Sequence, residues 1–480
     1  MKKFTYESAL SQSLRLKTRE ISAVELMQST LDRIGAVNGE INAIVSLRDG
    51  DDLLAEARDA DNAEREGWLH GIPIAIKDLG NAAGLPTSMG SPLFANTVSA
   101  TDDILVTRLK AAGALVIGKT NTPEFGLGSH TFNPVFGATK NPYDQTKSAG
   151  GSSGGAAAAL ATGMLSVADG SDMMGSLRNP AAWNNVYGMR PTFGLVPSEP
   201  KGDTFLHHLA TNGPMARDPS DLAALLDTMA GSDPRHPLGI HQPPAFPTLN
   251  ENVSEARIGW LGNWGGAYAY ETGIDDLAQS ALGQMSGLGW DVSEVVPPFS
   301  AVAIWDSWIT LRSFAVGMGM ADLYNDPTKR QKFKPAAIYE IERGLAMSAL
   351  DVHKASTARS AWFIKAAALF EIYDVLVLPS AQVWPFDVDL VNPTSINGQV
   401  MDTYHRWMEV VIAPGLLGLP VVNVPIGFGG PNDLPMGLQL IGKRGADAKL
   451  LQLAKTWHDA TQWPQRRPPL FNRRWVRGHG

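Results

Sequence analysis

Cysteine is missing altogether from the 480-residue chain. Its absence excludes disulfides, thiolate nucleophiles and cysteine-built zinc sites, and it leaves the redox compartment open. Charge is also scarce, with 18% charged against 44% hydrophobic residues and a formal net charge of -8. Such an acidic chain lacks the basic face that nucleic acid or an anionic membrane would want. No apolar run reaches the roughly 18 residues of a membrane helix. Met1–Ser8 carries two lysines with no apolar stretch behind them, so no signal peptide is expected. The ten histidines include one adjacent pair, His207–His208, and no HExxH-like spacing, so neither a metal nor a cofactor is expected. Apolar residues, by contrast, are plentiful enough for a substantial core, which argues against disorder and fibrous repeats. A soluble, cytoplasmic protein is the expectation, with a homodimer allowed.

The first 65 or so residues read as helices. Ser22 and Glu25 predict a capping box, and Val24, Met27, Leu31 and Ile34 then recur at helical spacing. From Gly71 the texture changes to short apolar runs punctuated by Gly and Pro. Ile72–Ile76, Ala114–Ile117, Leu165–Ala168, Val375–Leu378 and Val421–Val424 are too short for helices and predict buried strands. Helices are expected between them at Asp102–Ala112, Ala156–Thr162, Ser220–Ala230 and Lys449–Ala460. This alternation predicts an α/β fold around a largely buried sheet. The proline-rich stretch Gly231–Asn250 reads as a surface excursion on a single domain, residues 1–480, because strand-like segments of the same character resume after it.

Three motifs could carry chemistry. Gly113–Thr120 fits the phosphate-loop pattern GxxxxGK[ST], but its variable positions are Ala-Leu-Val-Ile, themselves a strand, where a phosphate loop needs exposed amides. Lys119 is placed just past that strand's end. Gly150–Gly154 fits the GxSxG nucleophile elbow, yet a polar, proline-containing loop precedes it where the elbow requires a strand. The third reading joins dispersed pieces. Lys77 ends the strand Ile72–Ile76, where the ordinary role of a lysine is an ion pair, for instance with Asp78. A Gly/Ser loop spans Ser148–Gly155, and the run Asp169–Pro180 follows the strand Leu165–Ala168. Each piece is weak alone, but their order and spacing are specific.

Together these segments resemble the amidase signature family over nearly the whole chain. The likeness is carried by Gly71–Asp78, Gly118–Phe125, Gly150–Gly155, Gly170–Arg178, Gly213–Arg217, Gly418–Pro420 and Leu434–Gln439, and Ser152 and Ser176 stand 24 residues apart. The resemblance implies a large mixed, twisted β-sheet core covered by α-helices on both faces. It implies a Lys77–Ser152–Ser176 triad that hydrolyses a carbon–nitrogen amide bond of a small organic molecule. Lys77 would be the base, active only when neutral, so burial must depress its pKa from about 10.4. Ser152, held in a cis peptide, would relay a proton to the nucleophile Ser176, which forms an acyl-enzyme. Backbone N–H groups of Met173, Met174, Gly175 and Ser176 would hold the oxyanion. Ser153, Ser171, Asp172 and Arg178 would fix these loops by hydrogen bonding. Where the family commonly has two glycines before the nucleophile, the first is Met174 here. Positive φ would be costly at that residue, so a modified oxyanion turn is expected, with the methionine beneath it or shaping the pocket.

The Asp172–Pro180 variant is similar to bacterial amidases of xenobiotic or cyclic amides, nylon-oligomer hydrolases among them. Two other functions share the triad: the glutamine-hydrolysing component of an amidotransferase, and an esterase or carbamate hydrolase. A catalytically silent binding protein is a further alternative. Substrate choice is expected to lie in Gly84–Asn96, Gly126–Phe136 and Phe299–Leu350. The last holds Trp305, Trp308, Phe314, Met318, Met320 and Tyr324, residue types more often buried in a core than lining a pocket.

Overall fold

The computed structural model describes residues 4–469; Met1–Lys3, part of the segment read above for a leader, lie outside that range. Near the N-terminus, Ser22 caps the helix Ala23–Ile41 by accepting the Glu25 N–H, and the Glu25 carboxylate accepts the Ser22 N–H in turn. This reciprocal box satisfies donors that a helix start leaves orphaned. The predicted stripe then turns inward, burying Met27 and Ile34 and half-burying Val24 and Leu31.

Eight strands form the main sheet, in the spatial order Asp291–Glu294, Arg257–Trp260, Val375–Pro379, Leu434–Ile441, Val421–Gly429, Tyr187–Arg190, Thr211–Ala216 and Val167–Asp172. Arg257–Trp260 runs parallel to both its neighbours, and the remaining pairings are antiparallel, so the sheet is mixed. Every residue of Val375–Pro379 and Leu434–Ile441 is buried. Strands buried on both faces must be covered on both, and helices such as Pro219–Met229, Ile274–Gly287 and Asp447–Thr461 pack against this sheet. The fold is the α/β architecture expected. One apolar cluster runs through it from Phe4 to Trp457, and the proline-rich excursion contributes Ala245 and Leu249 to that cluster.

The strand that ends in Lys77 belongs elsewhere. Pro73–Lys77 pairs in parallel with Leu115–Thr120, which in turn pairs with Ile44–Val45 in a separate three-stranded sheet. The two sheets meet where the Lys77 N–H donates to Asp169 Oδ1 at 2.9 Å. The same pairing corrects the reading of Lys119. It lies within its strand, not past its end, and its fully buried ammonium donates to the Gly80 carbonyl. Asp78 lies 3.8 Å from Lys119 and is not the partner of Lys77. With its lysine pinned inside a strand, Gly113–Thr120 offers no phosphate loop.

Candidate active site

Two glycine-rich loops bring the site together on the end of the Lys77 strand. Gly151–Ser152 is a cis peptide, and the helix Gly154–Ala161 starts immediately after it. All eight residues of that helix are buried, five of them alanine, so the loop is anchored against the core. Lys77 Nζ lies 2.8 Å from Ser152 Oγ, 2.8 Å from Ser153 Oγ, 3.1 Å from Ser171 Oγ and 3.3 Å from the Ser171 carbonyl. Ser153 and Ser171, expected to fix the loops by hydrogen bonding, touch the amine itself. Burial pulls Lys77 down from 10.5 to about 7, against the opposing charges of Asp169 and Asp172. Desolvation wins because the amine is fully enclosed and none of its direct partners is a carboxylate. Burial likewise pushes Asp169 up to about 6, although it accepts the Lys77 N–H.

Asp172 organises the nucleophile turn. Its carboxylate accepts the Gly175 N–H at 2.9 Å and the Leu177 N–H at 3.1 Å, and pairs with Arg178 at 2.9 Å and Arg190 at 3.4 Å. Burial alone would raise its pKa, but the Arg178 and Arg190 guanidiniums hold it well below the usual carboxylate range. Arg178 continues the network to the Val411 carbonyl at 2.7 Å and Gln439 Oε1 at 2.6 Å, tying the turn to the far strands. Of the four amides expected to face an oxyanion, that of Gly175 is already engaged by Asp172.

The turn also corrects the concern over Met174. The left-handed residue is Gly175, at φ 78°, and Met174 is not among the residues with positive φ. A Cβ on Gly175 would sit 2.8 Å from Val411 Cγ2, so glycine is required there for space as well as conformation. Met174 is buried and belongs to the cavity wall.

That cavity, of about 160 Å³, is lined by Ser152, Ser171 and Ser176 together with Met173 and Met174. Ser176 is 7% exposed and open to it. Ser152 and Ser176 share the cavity, but no hydrogen bond joins their hydroxyls. The opposite wall is apolar, formed by Leu79, Phe125, Leu127, Val316, Met320 and Met408. Gly126–Ser129 contribute as expected, whereas no residue of Gly84–Asn96 lines this cavity. Of the six aromatic and methionine residues singled out in Phe299–Leu350, Met320 alone faces it; Trp305 and Trp308 are core.

The sequence reading missed Arg312, the one charged side chain in the cavity wall. Its Nε donates to Glu340 Oε1 at 2.7 Å, and its two other nitrogens reach Tyr404 Oη at 2.9 Å and Met173 Sδ at 3.1 Å. A lone arginine within the apolar helix Ala301–Asn325 was the available signal. Among the described residues no histidine lines this cavity, and burial pulls both His130 and His405 down to about 4. Among the described residues no cluster of three His, Asp or Glu side chains is arranged to hold a metal ion, and no helix is long and apolar enough to cross a membrane.

A buried amine thus contacts the hydroxyls of Ser152, Ser153 and Ser171, and Ser176 stands on its glycine turn beside them. The Amidase family model matches residues 25–451. The chain belongs to the amidase signature family and is thereby a hydrolase of carbon–nitrogen amide bonds. It is 32% identical over 470 residues to an acylamidase of Rhodococcus erythropolis, covering 96% of this chain and 97% of that one. It is also 32% identical over 485 residues to a glutamyl-tRNA(Gln) amidotransferase subunit of Chromohalobacter salexigens, covering 94% and 96%. A bacterial aryl acylamidase of the family superposes with a TM-score of 0.89 at 27% identity, covering 96% of this chain and 99% of that one. A 6-aminohexanoate cyclic dimer hydrolase with bound substrate superposes with a TM-score of 0.88 at 26% identity, covering 98% and 100%. These neighbours match the xenobiotic and cyclic-amide branch that the Asp172–Pro180 run resembles.

Proposed function

We propose that the protein hydrolyses the amide bond of a small hydrophobic organic substrate through a Ser176 acyl-enzyme, with Lys77 as base and Ser152 as relay, in a single amidase domain. The observation that carries this reading is the 2.8 Å contact between Lys77 Nζ and Ser152 Oγ, with the amine pulled down to about 7. Near neutral pH about half of such an amine is uncharged and can accept a proton. Ser152 passes its proton to Lys77 and takes that of Ser176, whose Oγ bonds to the carbonyl carbon. The oxyanion develops toward the amides of Met173, Met174 and Ser176. As the C–N bond breaks, the proton returns from Lys77 through Ser152 to the departing amine. Water then adds to the acyl-enzyme by the same relay and releases the acid. Catalytic hydrogen bonds commonly tighten only in the substrate complex, which accommodates the missing Ser152–Ser176 contact.

The apolar wall of Leu79, Phe125, Val316 and Met320 supports an aryl or alkyl group on the substrate. The likeness to the glutamyl-tRNA(Gln) amidotransferase component favours a second reading, glutamine hydrolysis with transfer of ammonia to a partner. A panel of anilide, cyclic amide, carbamate, ester and glutamine substrates separates the two. Ser176→Ala is expected to abolish hydrolysis with the fold intact, and a fluorophosphonate is expected to label Ser176. Labelling of a different serine would sink the assignment.

A further inference from the structure

A second cavity, of about 440 Å³, lies behind the wall of the catalytic one. The two share no lining residue, but adjacent residues face opposite ways: Leu209 and Leu311 line the second cavity, Ala210 and Arg312 the first. On the helix Ala301–Asn325, Leu311 and Phe314 point into the second cavity while Arg312 and Val316 point into the first. At about 100° per residue, one helix serves both. The outer wall is the helix Ala349–Leu369, which presents Val352, Ser356 and Arg359 at helical spacing.

The lining is mostly apolar, yet it holds Arg359. This guanidinium is half-buried, and among the described residues it has neither an ion-pair nor a hydrogen-bond partner. Burial lowers its pKa, and no carboxylate acts on it to offset that. Asp203, the acid nearby, is already engaged, accepting the Leu206 N–H at 2.7 Å and lying 4.0 Å from His207 Nε2. The His208 ring, also in the lining, is held down by burial and further by the charges of Arg359 and Arg444. Arg359 is therefore the one cation of the lining, since burial holds both lining histidines down against the charge of Asp203, and Phe314 and Met347 belong to the apolar part of the lining. An arginine partly withdrawn from water without a partner loses hydration uncompensated. A carboxylate matches its planar fork with two parallel hydrogen bonds. The volume is that of a small-ligand site.

We propose that this cavity is a second binding site, for a small organic anion whose carboxylate meets Arg359 while its apolar body lies between Phe314 and Val352. The test uses the full chain, with 4-phenylbutyrate and its neutral counterpart 4-phenylbutan-1-ol as probes, followed by titration calorimetry near pH 8, where both lining histidines are neutral. The acid is expected to bind about ten-fold tighter than the alcohol, the ratio a single charge-assisted contact sustains. Arg359→Gln should erase that preference, and Val352→Trp, which fills the cavity, should remove binding of both probes. Val316→Trp, which fills the catalytic cavity instead, should leave the acid's affinity unchanged. Equal binding of acid and alcohol, a preference surviving in Arg359→Gln, or loss of binding in Val316→Trp would overturn the proposal. None of these readouts depends on hydrolysis, so the proposal stands or falls separately from the assignment of Ser176.

Discussion

Replacing Lys77 by methionine is predicted to end catalysis and to stabilise the protein by an amount that depends on pH. The amine's pKa falls from 10.5 to about 7 on folding. Between these values the unfolded chain binds a proton that the folded chain does not, so wild-type stability rises with pH by up to about 1.4 kcal/mol per unit. Below pH 7 both forms are protonated and the burial cost is complete, on the order of 4–5 kcal/mol. Methionine fills similar volume and carries no such cost, although it leaves the Ser152, Ser153 and Ser171 hydroxyls to find other partners. The stability gap between Lys77→Met and wild type should thus be widest and flat below about pH 6, and narrower by about 2 kcal/mol at pH 9 than at pH 7. For a chain of this size that is a change of about 2 °C in the difference between the two melting temperatures. Scanning both proteins by calorimetry from pH 6 to 9 measures it, with the interval from pH 7 to 9 decisive because Asp169, which feels the Lys77 charge, is pushed up only to about 6. A gap independent of pH, or one that widens above pH 7, would show that Lys77 keeps an ordinary pKa and would remove the basis for its role as a base.

The kcat/KM of the wild type should rise with pH along a limb centred near 7, which Lys77→Ala removes together with most of the rate. Lys77→Arg should not rescue it, because a guanidinium stays protonated; a limb abolished by a histidine substitution instead would point to a different base. Asp172→Asn should destabilise by about 3–5 kcal/mol, since Arg178 and Arg190 are then left buried without their carboxylate, and it should lower kcat more than it raises KM; chemical denaturation and steady-state kinetics check both. Exhaustive chelation should leave activity unchanged, and a loss restored by zinc would contradict a site built from lysine and serines.

The parts of the site that the sequence made legible are those in which backbone conformation dictates residue type. Glycines and serines around Ser152 and Ser176 mark tight loops whose spacing along the chain is fixed, and a lysine ending an apolar run marks a buried strand tip. The helices were readable for a similar reason, as the Ser22–Glu25 box and the stripe behind it are local. What stayed hidden depends on contacts between distant segments. Nothing near Lys77 announces that its strand sits in a small separate sheet, nor that Lys119, forty-two residues later, takes Asp78 as its neighbour. Arg312 lies 139 residues from Met173, and its place in the cavity is set by Glu340 and Tyr404 from two further segments. The consumption of the Gly175 amide by Asp172 is local in sequence, but it follows from a side-chain rotamer that spacing does not encode.

The nucleophile turn divides its labour between neighbouring residues, and this bears on how such an enzyme acquires new substrates. Gly175 alone carries the left-handed bend and the close approach to Val411, so that position is closed to variation. Met174 bears neither constraint, yet it stands in the cavity wall two residues before Ser176. A change there alters the shape seen by the acyl group without disturbing the bend that aims Ser176. Position 174 is thus a place where specificity can drift by single substitutions while the chemistry is kept, and saturating it should yield a series of active enzymes that differ in which amides they accept.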